Sequence, residues 1–243
     1  MKAAIHQPQY FPYPGFFHKL SLADIFVIMD DAQYDKRFTN RNKIIYPKGW
    51  LWLTVPINKT QKFEPNMKIE INNNMPWKEV HWKRLQFSYN NSKFFNLYKN
   101  YFKDLYAKEW TNLFDLNLET LKQVIYWLGL KVDIVRESEL NVSTASTQRL
   151  IDVCKAVGAD TYVAGSGSKD YMDEKLFERN GLNLQYQSYS PAYYQQHLSK
   201  EFIPDLSIID MLANVGPESI RLITQESEQF VTIQRDKGAR IRC

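Results

Sequence analysis

Two clusters of polar residues near the amino end carry the groups that a reaction would need. His6, Gln7, Tyr10, Gly15, His18 and Lys19 follow a short apolar run, Lys2-Ala3-Ala4-Ile5. Asp30, Asp31 and Gln33, then Arg37, Asn40, Arg41, Asn42 and Lys43, follow a second run, Ile25-Phe26-Val27-Ile28-Met29. His6 is suited to proton exchange near neutral pH. A helix opening at Pro14-Gly15 would aim backbone N–H groups at an anion, with His18 and Lys19 beside them. The competing reading of His18 is a helix residue with no chemical role. Adjacent carboxylates on an extended chain diverge, which argues against Asp30 and Asp31 acting as a two-carboxylate acid/base pair. Asp31 is read as orienting an amine, accepting its proton or holding Mg²⁺, or else as pairing with Arg41 beneath the loop. Asp30 is read first as structural, with Mg²⁺ binding as its alternative. Asn40, Arg41 and Asn42 supply planar donors for phosphate, carboxylate or sugar hydroxyls, or serve ordinary turn chemistry.

A third cluster, Gly165-Ser166-Gly167-Ser168-Lys169-Asp170-Tyr171, follows the apolar run Thr161-Tyr162-Val163-Ala164. Two glycines, two serines and a lysine after a strand can cradle an anion, and a tight turn that merely starts the next helix has equal weight. It is no Walker A sequence, because its glycine-to-lysine spacing differs and no Ser or Thr follows Lys169. Cys154 lies on an apolar helical face and is expected to be a buried thiol rather than a nucleophile. His81 and His197 lack metal-ligand spacing. The run Trp77 to Arg84 reads as an amphipathic helix with a solvated charged face rather than as a nucleic-acid contact.

The elements that must position these groups alternate. The chain is expected to be α/β, with a Rossmann-like, mostly parallel sheet and the clusters at its strands' carboxyl ends. Lys2 to Ile5 and Ile25 to Met29 are parallel neighbours joined by a short helix from Pro14 to about Leu22, so His6, Asp31 and Arg41 are expected in one cleft. Leu51 to Ile57 reads as a third strand, at an edge or ending at Pro56. Past Asn72-Asn73-Asn74 comes a helical insertion at about 76–128, with Trp82, Leu85 and Tyr89 on one face and Phe114, Leu118, Leu121, Ile125 and Leu128 on another. Strands at 132–135, 161–164 and 182–186, a helix carrying Leu150, Ile151, Cys154 and Val157 and stopped by Gly158, and a terminal helix with Ile208, Ile209, Met211 and Leu212 follow. The expected organisation is one domain over 1–223 and a partly disordered tail over 224–243 bearing Arg235, Lys237, Arg240 and Arg242.

Composition narrows the class. With 243 residues, 44% hydrophobic and 24% charged, the chain can bury a sizeable core. It holds no apolar run near the roughly 20 residues of a membrane span and no signal-peptide pattern, so a cytoplasmic protein is expected. Two cysteines exclude a disulfide framework, and a net charge of +4 suits an anionic small substrate and argues for no nucleic acid.

The strand, proline turn, helix-opening Gly15, His18 and Lys19 resemble the nucleotide site of the HIGH-type nucleotidylyltransferase and pantothenate-synthetase superfamily. The departure is that Phe16 follows Gly15 and His18 lies further on, so the motif itself is absent. A fuller resemblance is to the WbqC-like proteins. It is carried by Ile5 to Pro12, Gly15, Lys19, Asp24, Asp30 to Tyr34, Asn40 to Asn42, Trp52 to Pro56, Tyr162 to Asp173, Leu206 to Asp210 and Asn214 to Glu218. That resemblance implies a bacterial cytoplasmic protein of surface-polysaccharide or O-antigen gene clusters, some of whose relatives transfer glycine or other amino acids. It carries no mechanism onto numbered residues. Joined to the clusters, it leads to an expected enzyme that forms an amide on the amino group of a nucleotide-activated amino sugar. The acyl group would come from a small carboxylate or amino acid activated by ATP and Mg²⁺, or from a carrier-linked donor. His6, Asp31 and Arg41 are expected to be catalytic. Gln7, Tyr10, Gly15, His18, Lys19, Gln33, Asn40, Asn42, Ser166, Ser168, Lys169 and Asp170 are expected to bind substrate or nucleotide, with Asp30 and Asp31 as candidate Mg²⁺ ligands. The competing class is a non-catalytic sugar-nucleotide-binding or scaffold protein.

Overall fold

The computed structural model describes residues 1–58, 61 and 63–225; of the tail expected at 224–243, residues 226–243 lie outside them. Seven strands and eight α-helices are described: β1 Lys2–His6, α1 Pro14–Ser21, β2 Ile25–Ile28, β3 Arg41–Tyr46, β4 Gly49–Thr54, α2 Trp77–Tyr89, α3 Phe95–Ala107, α4 Leu113–Leu128, β5 Asp133–Arg136, α5 Ser146–Ala156, β6 Thr161–Ala164, α6 Glu174–Arg179, β7 Asn183–Tyr186, α7 Ile208–Val215 and α8 Ser219–Thr224.

Five strands form one parallel sheet in the order β5-β2-β1-β6-β7. β1 is central because Ala3, Ala4 and Ile5 are apolar on both sides of the pleat, as a strand covered on both faces requires. Ala4, Phe26, Ile28 and Val163 join a large core shared with α1, the β3–β4 hairpin and α2 to α4. Ala3, Ile5, Val27, Tyr162 and Ala164 face the smaller core under α5 and α6, where Cys154 is fully buried and its thiol is pushed up to about 12 by that burial. The fold is therefore Rossmann-like with a helical insertion, as the alternation of elements implies.

Two expectations are corrected. The strand expected at 51–57 runs over Gly49–Thr54 and pairs antiparallel with Arg41–Tyr46 as a separate hairpin, away from the parallel sheet. Lys48 and Gly49, both at positive φ, make its tight turn. On α2 the buried face is Trp77, His81, Leu85, Ser88 and Tyr89, and Trp82 is only half-buried. α4 is bounded as helix chemistry dictates: the Asn112 side chain accepts from Phe114 N–H and Asp115 N–H, and Gly129 takes the left-handed conformation after Leu128.

The loop after β1 is fixed from far along the chain. Phe11 sits at φ 42°, and its carbonyl accepts from Asn42 Nδ2 at 2.8 Å and from Ser207 Oγ at 2.9 Å. Ile208 N–H, opening α7, donates to Pro12 O at 2.8 Å.

Candidate functional site

In a doubly wound sheet a crevice opens at the carboxyl ends of the strands where the winding reverses. Here the chain winds outward from β1 to β2 and β5, then returns to the other side of β1 for β6 and β7. A cleft of about 950 Å³ lies at that place. Its walls are the loop after β1 with His6, Gln7, Gln9 and Tyr13, the 35–39 loop after β2, the first turn of α5 with Ser146, Thr147 and Arg149, and Gly165 to Ser168 after β6, with Lys19, Tyr162 and Gln187 also lining it.

His6 presents a single free ring nitrogen. Its Nδ1 lies 2.9 Å from Gln7 O, and a carbonyl only accepts, so Nδ1 carries the hydrogen and Nε2 keeps its lone pair. Burial, then the charge of Lys19, lowers the imidazole's pKa to about 4, so the ring is neutral at pH 7. Lys19 is 4% exposed and donates to Ile5 O at 2.7 Å. Its ammonium lies 5.9 Å from the Tyr162 ring centroid, and burial lowers its pKa to about 7. Arg149 stands in the α5 wall between two acids, its Nη2 donating to Asp31 Oδ1 and its Nε to Glu137 Oε1, both at 2.6 Å. Glu137 is almost fully buried, which raises its pKa against the pull of Arg149. Gln7 Oε1 and Gln9 Oε1 are buried acceptors with no donor among the described residues.

His6, Gln7, Lys19, Ser166 and Ser168 thus meet in the cleft, with the Ser168 hydroxyl tied to Gly165 O at 2.7 Å. The remaining expected site residues lie elsewhere, each for a physical reason. Tyr10 is wholly buried: its hydroxyl lies 2.6 Å from that of Tyr106 and 3.1 Å from His81 Nδ1. Gly15 faces Tyr13 and Tyr189, whose ring carbons would lie 2.4 and 2.7 Å from an added Cβ, so the amino end of α1 is closed to a phosphate. His18 Nδ1 accepts from Gln187 Nε2 at 2.9 Å behind that wall. Gln33 is exposed and bridges Pro65. Asn40 is consumed by the Tyr34 hydroxyl and Val55 O, and Asn42 by Phe11 O and Lys43 N–H. Arg41 stacks 4.4 Å from the Trp52 ring and donates to Arg37 O, so it forms no ion pair with Asp31 and does not line the cleft. Lys169 lies over the Tyr186 ring, and Asp170 is exposed away from the cleft.

The two aspartates diverge and take different partners. Asp30 is fully buried and accepts from Ser138 N–H, Ser138 Oγ and Arg136 Nε, which hold its carboxyl below the usual range despite burial. Asp30 already accepts three hydrogen bonds within the protein and Asp31 is tied to Arg149, so holding Mg²⁺ would compete with these partners. Among the described residues no group of three or more His, Cys, Asp or Glu converges. No helix of the described residues is long and apolar enough to cross a membrane.

Sequence reasoning missed Arg149, Thr147 and Gln187. Their signal was positional: the first is in the opening turn of a helix that follows a parallel strand, the last just beyond β7. Arg37, flagged only in passing, lines the cleft beside Asp35, its partner at 2.6 Å.

The model of the family described as the WbqC-like protein family matches residues 7–222. An uncharacterized protein of Mycobacterium tuberculosis is 31% identical over 220 residues, spanning 90% of this chain and 95% of that protein. No solved structure matches.

Proposed function

Since the chain belongs to the WbqC-like protein family, we propose that it forms an amide on the amino group of a nucleotide-activated amino sugar in the making of a surface polysaccharide, with an acyl or aminoacyl group such as glycine as donor. One observation carries this reading: His6 offers a neutral imidazole, its tautomer fixed by Gln7 O, with the Nε2 lone pair left over in a cleft whose floor holds a cation. An amine reaching that nitrogen gives up its proton to Nε2 as the nitrogen–carbon bond forms and the bond from the acyl carbon to its activating group breaks. The volume of about 950 Å³ is at the upper end of small-molecule sites, roughly 300–1,000 Å³, and accommodates a sugar nucleotide with a second reactant. The unpaired Gln7 and Gln9 oxygens call for donors, which a sugar's hydroxyls and amine provide.

Activation by ATP with Mg²⁺ would require carboxylates that Asp30 and Asp31 have committed elsewhere, so a donor arriving already activated suits these residues better. A second reading, a sugar-nucleotide binder without chemistry, is favoured by Asp35: among the described residues it is the single acidic side chain in the cleft wall, and it is held by Arg37. Incubating the full chain with a panel of nucleotide amino sugars, small amino acids and ATP, and then with thioester-activated acyl donors, separates the two by mass spectrometry. A mass gain on the sugar that disappears in His6→Asn supports the enzyme. Tight sugar-nucleotide binding with no product from any donor supports the binder.

A further inference from the structure

Both arginines that line the cleft have their charge met by protein: Arg149 by Asp31 and Glu137, and Arg37 by Asp35. Lys19 differs. It is 4% exposed, one of its three N–H groups donates to Ile5 O, and among the described residues no carboxylate forms an ion pair with it. A buried cation with no counter-ion is costly to fold and is retained where a ligand supplies the charge. A second, independent feature points the same way. The first turn of α5 opens on the cleft through Ser146 and Thr147, Ala145 at its cap position gives no side-chain oxygen, and the N–H groups of Thr147 and Gln148 have no described partner.

We infer that the cleft floor is a phosphate subsite, in which Lys19 Nζ, the open amino end of α5, Arg149 and the backbone of the Gly165 to Ser168 loop hold the diphosphate of the substrate. The anion replaces the missing counter-ion of Lys19 and accepts from N–H groups that water otherwise satisfies. Asp31 and Glu137 then act as positioning residues: by holding Nη2 and Nε of Arg149 they leave its other donors directed by the wall rather than free to swing. The inference rests on the sugar-nucleotide reading above and gives it an anchor; it moves the phosphate from α1, where Tyr13 and Tyr189 cover Gly15, to α5.

The test is calorimetric titration of the full chain with inorganic pyrophosphate and, separately, with uridine diphosphate, using chloride as a monoanionic control. Wild type binds both diphosphates, and Lys19→Met, which fills the same space without charge, weakens both by about tenfold or more. Lys19→Met melts at or above the wild-type temperature, since it removes an uncompensated buried charge; a purely structural lysine would give the opposite pattern. A measurement that needs no folded variant is proton uptake. The titratable and charged groups that line the cleft with Lys19 are His6, Tyr13, Asp35, Arg37, Arg149 and Tyr162, and an anion bound among them favours the ammonium. Titrations at pH 7 to 8 in two buffers of different ionisation enthalpy therefore report protons taken up on binding, and His6→Asn retains that uptake while Lys19→Met loses it. Binding by Lys19→Met within about twofold of wild type overturns the subsite, as does wild type that binds neither diphosphate. Failure of the acyl-transfer assay with diphosphate binding intact removes only the reaction; product formed without diphosphate binding removes only the subsite.

Discussion

His6 and His81 both sit among aromatic rings, both have a lowered pKa and both have one tautomer fixed by a backbone carbonyl, yet their surroundings use them differently. Around His81 every polar atom is spent. Its Nε2–H donates to Thr54 O at 3.1 Å, its Nδ1 accepts from Tyr10, and the Tyr106 hydroxyl donates to the Tyr10 oxygen. That chain joins α2, α3, the hairpin and the loop after β1. Around His6 one ring nitrogen is spent and the other is left in the cleft, next to unpaired glutamine oxygens and a lysine without a carboxylate. The contrast teaches that burial and a shifted pKa do not by themselves separate the two histidines; the ring nitrogen left without a partner does.

The sharpest break in that contrast is a pair of substitutions. His81→Ala removes a buried ring and strands the Tyr10 hydroxyl, and is expected to cost about 3 kcal/mol in chemical denaturation. His6→Asn is expected to leave the denaturation midpoint nearly unchanged and lower turnover by about 100-fold, with substrate affinity little altered. Near-normal turnover of His6→Asn with the true substrates would make His6 a structural or binding group like its counterpart. Next comes Tyr10→Phe: it strands the Tyr106 donor and the His81 acceptor, with an expected loss of about 1 to 2 kcal/mol and no change in ligand affinity by titration.

Acid also separates the clusters. Both imidazoles are disfavoured as cations in the folded state, with pKa lowered from 6.5 to about 4 for His6 and to about 3 for His81. The unfolded chain binds the proton first, so stability is fully present above pH 6.5 and falls as the pH drops toward those folded values, by up to about 1.4 kcal/mol per unit for each group. Denaturation curves at pH 7, 6, 5 and 4.5 should show this slope. Replacing His6 should remove its share, and a bound anion should diminish the same share by raising the His6 value. The smallest effects are expected outside both clusters. Arg41→Ala and Lys169→Ala lose a stacked cation each, and should change diphosphate affinity by less than about 0.3 kcal/mol.

The parallel sheet was legible because its strands are short apolar runs that end abruptly in polar residues, and periodicity reports burial on both faces. The location of the cleft was legible for the same reason, and His6, Gln7, Lys19 and the Gly165 loop line it. What escaped was the accounting of partners. Asn40, Asn42 and Tyr10 look like ligand contacts in sequence, and become structural because partners from residues 11, 34, 55, 81 and 106 reach them. The hairpin strand 41–46 was hidden because its polar opening, Arg41-Asn42-Lys43, imitates a binding motif. Arg149 was hidden because nothing local ties it to Asp31; that contact exists only once β5 has docked on β2.

The position of β1 in the sheet bears on how the chain is made. Its partner β2 emerges from the ribosome soon after it, at 25–28, but its other edge is paired by β6, at 161–164. The carbonyl of Phe11 waits longer still, for Ser207. During synthesis the central strand of the sheet therefore has an open edge while the intervening hairpin and helices appear, and such edges recruit strangers. Chains released before α7 would carry β1 and its loop without the donors of Ser207 and Ile208 that hold Phe11 O and Pro12 O, so truncated products should aggregate rather than persist as weak versions of the whole.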